Sequence, residues 1–144
     1  MSEQENVQIG HQAIAALNAH DVDGYVQYLD EAYIGEAELT PGPVEGREAA
    51  RQNVEARLRA FPDLRLDVEE VLATGDKVVA RWRMTGTHTG EFVGIAPTNR
   101  RVEIRGCTVA QVRNGKVIRT RVYADNATML QQLGVIALGK RATA

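Results

Sequence analysis

His88 is the residue whose type and position best suit it to moving a proton. It continues the parity of Val78, Ala80, Trp82 and Met84, which alternate with Val79, Arg81, Arg83 and Thr85, so its ring is expected at the inner end of that strand. An ordinary imidazole titrates at about 6.5 and can act as general base or general acid at neutral pH. The alternative is a ring that hydrogen-bonds a hairpin carbonyl and fixes the turn. Trp82 shares that parity and faces inward, either as a stacking surface or as a core tryptophan. Asp125-Asn126-Ala127-Thr128 has the pattern of a helix N-cap. Glu36 and Glu38 read as solvated loop charges, and His11 and His20 as surface residues of a helix. The single Cys107 has no internal disulfide partner, and no CxxC or HExxH spacing offers a metal site.

The elements that must position these groups fall into helices first and strands second. Ser2-Glu3-Gln4-Glu5 is a capping box, and Val7, Ile14 and Leu17 form one stripe of the helix that follows. Asp21 caps a short second helix with Val22, Tyr25, Val26 and Leu29 on one face. Tyr33 to Pro43, with two prolines and two glycines, is expected to be a loop. A third helix runs from Arg47 to about Ala60, with Ala50, Val54, Leu58 and Phe61 at helical spacing and Pro62 as its stop. From Leu64 the period becomes 2, slipping at Glu69-Glu70, where a bulge is expected before the turn Thr74-Gly75-Asp76. Strands follow at Lys77 to about Thr87, Arg101–Arg113 and Lys116–Ala124. A long hairpin loop, His88 to Asn99, separates the first two, and an Asn114-Gly115 turn the last two. Ile118, Thr120, Val122 and Ala124 share one face of the last strand, and a final helical turn holds Leu130 and Leu133 and stops at Gly134. This order predicts one α+β domain over residues 1–144, with N-terminal helices on a curved, mostly antiparallel sheet.

Two blocks resemble a known family. Gly86-Thr87-His88-Thr89-Gly90, followed by Phe92-Val93-Gly94-Ile95-Ala96-Pro97-Thr98-Asn99-Arg100-Arg101, is similar to the central hairpin of SnoaL-like polyketide cyclases, within the nuclear transport factor 2-like superfamily. Asn114-Gly115-Lys116-Val117-Ile118, through Asp125 to Leu130-Gln131-Gln132-Leu133-Gly134, resembles the closing block of the same family. The resemblance implies a cone with an apolar pocket between sheet and helices, and a homodimer through the outer sheet face. It also implies ring closure by intramolecular aldol chemistry without metal or organic cofactor, as in antibiotic biosynthesis, with some relatives tied instead to hydroxylation. In the aldol cyclases the acid/base aspartate falls at Val122, its companion histidine at Thr108 and a pocket asparagine near Gly35, so all three are replaced here.

On that frame the expected site has two parts. Asp125 matches a recurrent family aspartate beside the pocket mouth. With His88 it forms a candidate catalytic carboxylate–imidazole pair, unless it serves as the cap already noted. Tyr25 and Tyr33 roof the pocket, as donors to an oxyanion or as ties for the Tyr33–Pro43 loop. Trp82 stacks on a polycyclic substrate, and Thr108, Thr120 and Val122 line the cavity. Arg81, Arg83, Arg105, Arg119 and Arg121 crowd the outer sheet face, where pairs with Glu69 and Glu103 across a dimer interface would relieve their repulsion.

Composition narrows the function classes. A chain of 144 residues can bury roughly 70 % of its unfolded surface. Its hydrophobic fraction of 44 % and charged fraction of 25 % are those of a globular protein, and a net charge of −2 gives no field for nucleic acid or anionic membrane. The acidic start and the lack of a long apolar run predict a cytoplasmic protein with no signal peptide or membrane span. Three readings follow: a cofactor-independent cyclase of a polycyclic aromatic, a hydroxylase-type relative on a similar substrate, or a non-catalytic small-molecule-binding dimer.

Overall fold

The computed structural model describes residues 2–137. Helix α1 (Glu3–Asn18) starts at the Ser2 capping box, in which Ser2 Oγ accepts the Glu5 amide at 3.1 Å. Its buried stripe is Asn6, Ile9, Ala13 and Leu17; Val7 and Ile14 flank that stripe half-buried. Asn18 ends the helix by donating to Leu66 O and accepting from Leu66 N, both at 2.8 Å, which fixes α1 to the sheet. Asp21 caps the short α2 (Val22–Val26) through the Gly24 amide.

The chain then enters β1 (Leu29–Ala37), and here the expectation of a loop from Tyr33 is overturned. Tyr33–Ala37 is the second half of a strand that runs parallel to the last strand and is flanked by the two-residue β2 (Val44–Glu45). Helix α3 (Arg47–Ala60) precedes β3 (Arg65–Thr74), β4 (Lys77–Thr87), β5 (Arg101–Arg113) and β6 (Lys116–Ala124); α4 (Asn126–Gln132) closes the fold. The sheet order is β2-β1-β6-β5-β4-β3, antiparallel except for β1 beside β6.

The expected bulge falls between Val68 and Glu70. A second register shift, between Gln111 and Val112, puts Val117 rather than Ile118 into the core. That is the geometry of a bulge, where one extra residue moves the alternation by one. Asn114 (φ 51°) and Gly115 (φ 76°) make the tight left-handed turn between β5 and β6.

The loop from His88 to Arg100 folds back under α3. The Thr89 and Gly90 amides both donate to Ala60 O, at 3.0 and 3.1 Å, satisfying a carbonyl at the helix end. This approach requires glycine at position 90, since a Cβ there would stand 2.2 Å from Arg59 O. The loop places Phe92 edge-on to Phe61, with ring centroids 5.2 Å apart.

On the outer face the arginines pair within the chain. Arg81 reaches Glu69 and Glu70, Arg83 reaches Asp67 and Glu103, Arg105 reaches Glu69, and Arg119 and Arg121 share Glu36. Mutual repulsion therefore does not require a partner subunit to supply the counter-charges. Among the described residues no helix is long and apolar enough to cross a membrane.

Candidate functional site

A cavity of about 300 Å³ lies between the inner sheet face and the helices, lined by members of both hydrophobic clusters of the core. Trp82 forms its floor. It stands opposite Gly106, and a Cβ on Gly106 would lie 2.4 Å from Trp82 Cη2, so the indole rests directly on β5. Its Nε1–H donates to Thr108 Oγ1 at 3.0 Å, which fixes the ring at 5 % exposure.

Tyr33 repeats this device on the neighbouring strands. Gly35 stands opposite Thr120, and the Tyr33 phenol leans over Gly35 to share a hydrogen bond with Thr120 Oγ1 at 2.5 Å. A Cβ at Gly35 would meet the Tyr33 hydroxyl at 2.4 Å. Two glycines on the sheet thus make room for two aromatic side chains on the cavity wall.

Tyr25 descends from α2. Burial pushes its phenol above the ordinary range, with Tyr33 adding to the rise and the Arg57 guanidinium opposing it. Burial also raises Tyr33, against the Thr120 hydrogen bond and Arg57. Both phenols are therefore neutral at pH 7 and available as donors. Exposed Glu38, Glu91 and Val93 mark the mouth. Glu36 belongs to β1 rather than to a loop, and its carboxylate, held below the usual range first by Arg119, is turned to Arg119 and Arg121.

The family model for SnoaL-like polyketide cyclases matches residues 8–133. The chain belongs to the SnoaL-like polyketide cyclase family. It is 29 % identical to nogalonic acid methyl ester cyclase of Streptomyces nogalater over 84 % of this chain and 91 % of that one. To aklanonic acid methyl ester cyclase AcmA of Streptomyces galilaeus it is 28 % identical, covering 93 % and 92 %. AclR of Streptomyces galilaeus, a candidate hydroxylase, superposes with a TM-score of 0.85 at 28 % identity, over 97 % of this chain and 91 % of that one.

Within this SnoaL-like fold the structure brings Tyr25, Tyr33, Trp82, Thr108, Thr120 and Val122 onto one cavity. Thr108 and Val122 are direct partners across β5 and β6, so the two positions implied for a histidine and an aspartate lie side by side on the floor. His88 and Asp125 do not line it. His88 is fully buried; its Nδ1 accepts the Thr98 amide at 3.2 Å and lies 3.0 Å from Thr98 Oγ1. An Nδ1 that accepts leaves the neutral ring's proton on Nε2, which has no partner among the described residues. The ring packs beside Phe61, centroids 5.5 Å apart.

Asp125 caps α4, accepting the Thr128 amide at 3.1 Å and the Thr128 hydroxyl at 2.7 Å. These two bonds, the hydroxyl's foremost, hold its carboxyl below the usual range. No hydrogen bond or ion pair joins it to His88. Among the described residues no group of three or more His, Cys, Asp or Glu side chains is arranged to hold a metal ion.

Sequence reasoning missed Asn53 and Arg57 of α3, Phe92 of the hairpin and Asn126 and Met129 of α4, all of which line the cavity. Asn53 and Arg57 had a readable signal: they are one helical turn apart, directly beside the buried Ala50–Val54 stripe.

Proposed function

We propose that this SnoaL-like protein is an enzyme that binds a polycyclic aromatic polyketide in its cavity and promotes intramolecular aldol ring closure. The observation that carries this reading is the cavity's division of labour. An indole and small or apolar side chains form the floor, while two neutral phenols and a guanidinium sit above it. A flat aromatic ligand stacks on the first set, and a carbonyl that becomes an enolate receives hydrogen bonds from the second. A carbon between two carbonyls is already acidic. Stabilising the enolate oxygen is then the protein's main contribution, and the paired floor positions Thr108 and Val122 need hold no strong base.

The test is turnover of nogalonic acid methyl ester and aklanonic acid methyl ester, followed by absorbance and mass. The expected result is an isomer of unchanged mass. Tyr25→Phe lowers the rate by about 10²–10³, the usual effect of losing one oxyanion donor. Including His88→Ala and Asp125→Asn tests the acid/base pair expected from sequence: it stands if both abolish turnover in folded protein.

The similarity to AclR supports a second reading, in which the same anion-stabilising site prepares the substrate for oxygen insertion. A product heavier by one oxygen identifies that branch. Binding of both esters without change in mass identifies a binding module. We further propose a homodimer through the outer sheet face, where Tyr123 (48 % exposed) and Leu72 (57 % exposed) accompany the ion-paired arginines. A monomer in sedimentation at micromolar concentration refutes it.

A further inference from the structure

Arg57 is half-buried on the cavity wall, yet among the described residues no carboxylate pairs with it and no group accepts a hydrogen bond from its guanidinium. The other cavity carboxylates are accounted for: Glu36 is taken by Arg119 and Arg121, and Glu38 and Glu91 lie exposed at the mouth without an ion pair to Arg57. Tyr25 lines the same space, and among the described residues the tyrosine hydrogen bond on this wall is made by Tyr33, to Thr120, not by Tyr25. Asn53 stands one helical turn before Arg57 on the same side of α3, adding a side-chain amide.

We propose that Arg57, Tyr25 and Asn53 form a docking site for an ionised oxygen, so that the ligand class is an aromatic acid or acidic enol rather than a neutral aromatic. A guanidinium on the cavity wall without a counter-charge keeps its donors free, and a ligand oxyanion supplies the missing partner. Charge-assisted hydrogen bonds from a planar guanidinium fix both position and orientation. The docking site lies on the helices, across the cavity from the Trp82 floor, so it sets which edge of a stacked ring system faces α3. This inference deepens the cavity reading above and rests on it for the aromatic part only.

The test is binding, with no turnover required. Trp82 is the chain's only tryptophan, so its fluorescence reports on the cavity floor. Anthraquinone-2-carboxylate and its methyl ester are titrated at pH 7, alongside 2-naphthoate and methyl 2-naphthoate as a smaller pair. The wild type is expected to bind each carboxylate at least about tenfold more tightly than its ester, the range for a hydrogen bond to a charged group. Arg57→Met removes the preference while keeping ester affinity, and Arg57→Lys retains most of it. Equal affinities in the wild type, a preference that survives Arg57→Met, or no binding of either carboxylate overturns the proposal. Should only the naphthoate pair bind, with an Arg57-dependent preference, the docking site stands and the polycyclic substrate falls.

Discussion

Replacing Gly106 by alanine strikes the cavity floor at its tightest contact. The new Cβ would stand 2.4 Å from Trp82 Cη2, 2.7 Å from Cζ2 and 2.8 Å from Tyr123 O. Carbon atoms in contact settle at about 3.5–4.0 Å, so a gap of roughly 1 Å has to open. The indole cannot simply tilt away, because it is buried and its Nε1–H is committed to Thr108. Tyr123 O is main chain, so neither can β6 yield cheaply. Forcing extra carbon into such a site costs about 1–3 kcal/mol. Breaking the indole hydrogen bond in a buried setting adds about 1–3 kcal/mol.

Gly106→Ala is therefore expected to destabilise the fold by about 2–6 kcal/mol, which for a chain of this length lowers Tm by about 5–25 °C. Urea unfolding followed by circular dichroism measures it, and Trp82→Phe completes a double-mutant cycle. Phenylalanine lacks the outer indole atoms that clash, so the double variant should be more stable than the sum of the singles by about 1 kcal/mol or more. Gly106→Ala within about 0.5 kcal/mol of wild type, or a strictly additive cycle, would refute this account of the floor.

Three further outcomes follow from the same geometry. Asp125→Ala should cost about 1 kcal/mol through loss of the α4 cap, whereas Asp125→Asn, an equally good cap, should cost almost nothing in thermal unfolding. Asp63 accepts the Thr87 amide at 2.7 Å and the Thr87 hydroxyl at 2.8 Å; the amide bond foremost lowers its pKa, as Thr128 does for Asp125. Their stabilisation is fully present above the ordinary aspartate value of 3.8 and is lost as pH falls through the lower folded values, so Asp63→Asn should flatten the acid limb of a stability–pH curve. For Tyr25 and Tyr33 the sign reverses. Their raised pKa values leave stability intact below the ordinary 10.0 and remove it as pH climbs through the folded values, so each Tyr→Phe variant should lose a late component in an alkaline absorbance titration.

The extents of strands β4, β5 and β6 were readable because each carries its own period-2 pattern and a hairpin signal at its end, although the shift at Gln111/Val112 was not. The β3 bulge was readable for the same reason, as a slip in that pattern. Strand β1 was not. Its partner β6 lies more than eighty residues away in parallel pairing, its register shifts between Leu29 and Ile34, and Gly35 and Glu36 locally suggest a loop. Only the finished sheet shows that Gly35 lies opposite Thr120 and leaves room for Tyr33. Parity also led His88 astray as a cavity residue. Alternation assigns a face only while the strand continues, and β4 ends at Thr87, where the chain turns beneath α3.

The replacements on the floor and the groups on the wall belong to one physical argument. Thr108 and Val122 sit side by side where the family resemblance implies a histidine and an aspartate, and neither can move a proton in the neutral pH range. Thr108 is instead occupied in holding the Trp82 indole, which fixes an aromatic ring on the floor. The polar capacity lies on α2, α3 and β1, as Tyr25, Arg57 and Tyr33. On the function proposed above, two neutral phenols and a cation would stabilise an anionic oxygen without any group whose pKa must match the working pH. Catalysis by this set should therefore vary little between pH 6 and 8, in contrast to the bell-shaped profile of a histidine–aspartate pair. A pH–rate profile with a limb near 6.5, abolished by His88→Ala, would overturn this argument and return the chemistry to the imidazole.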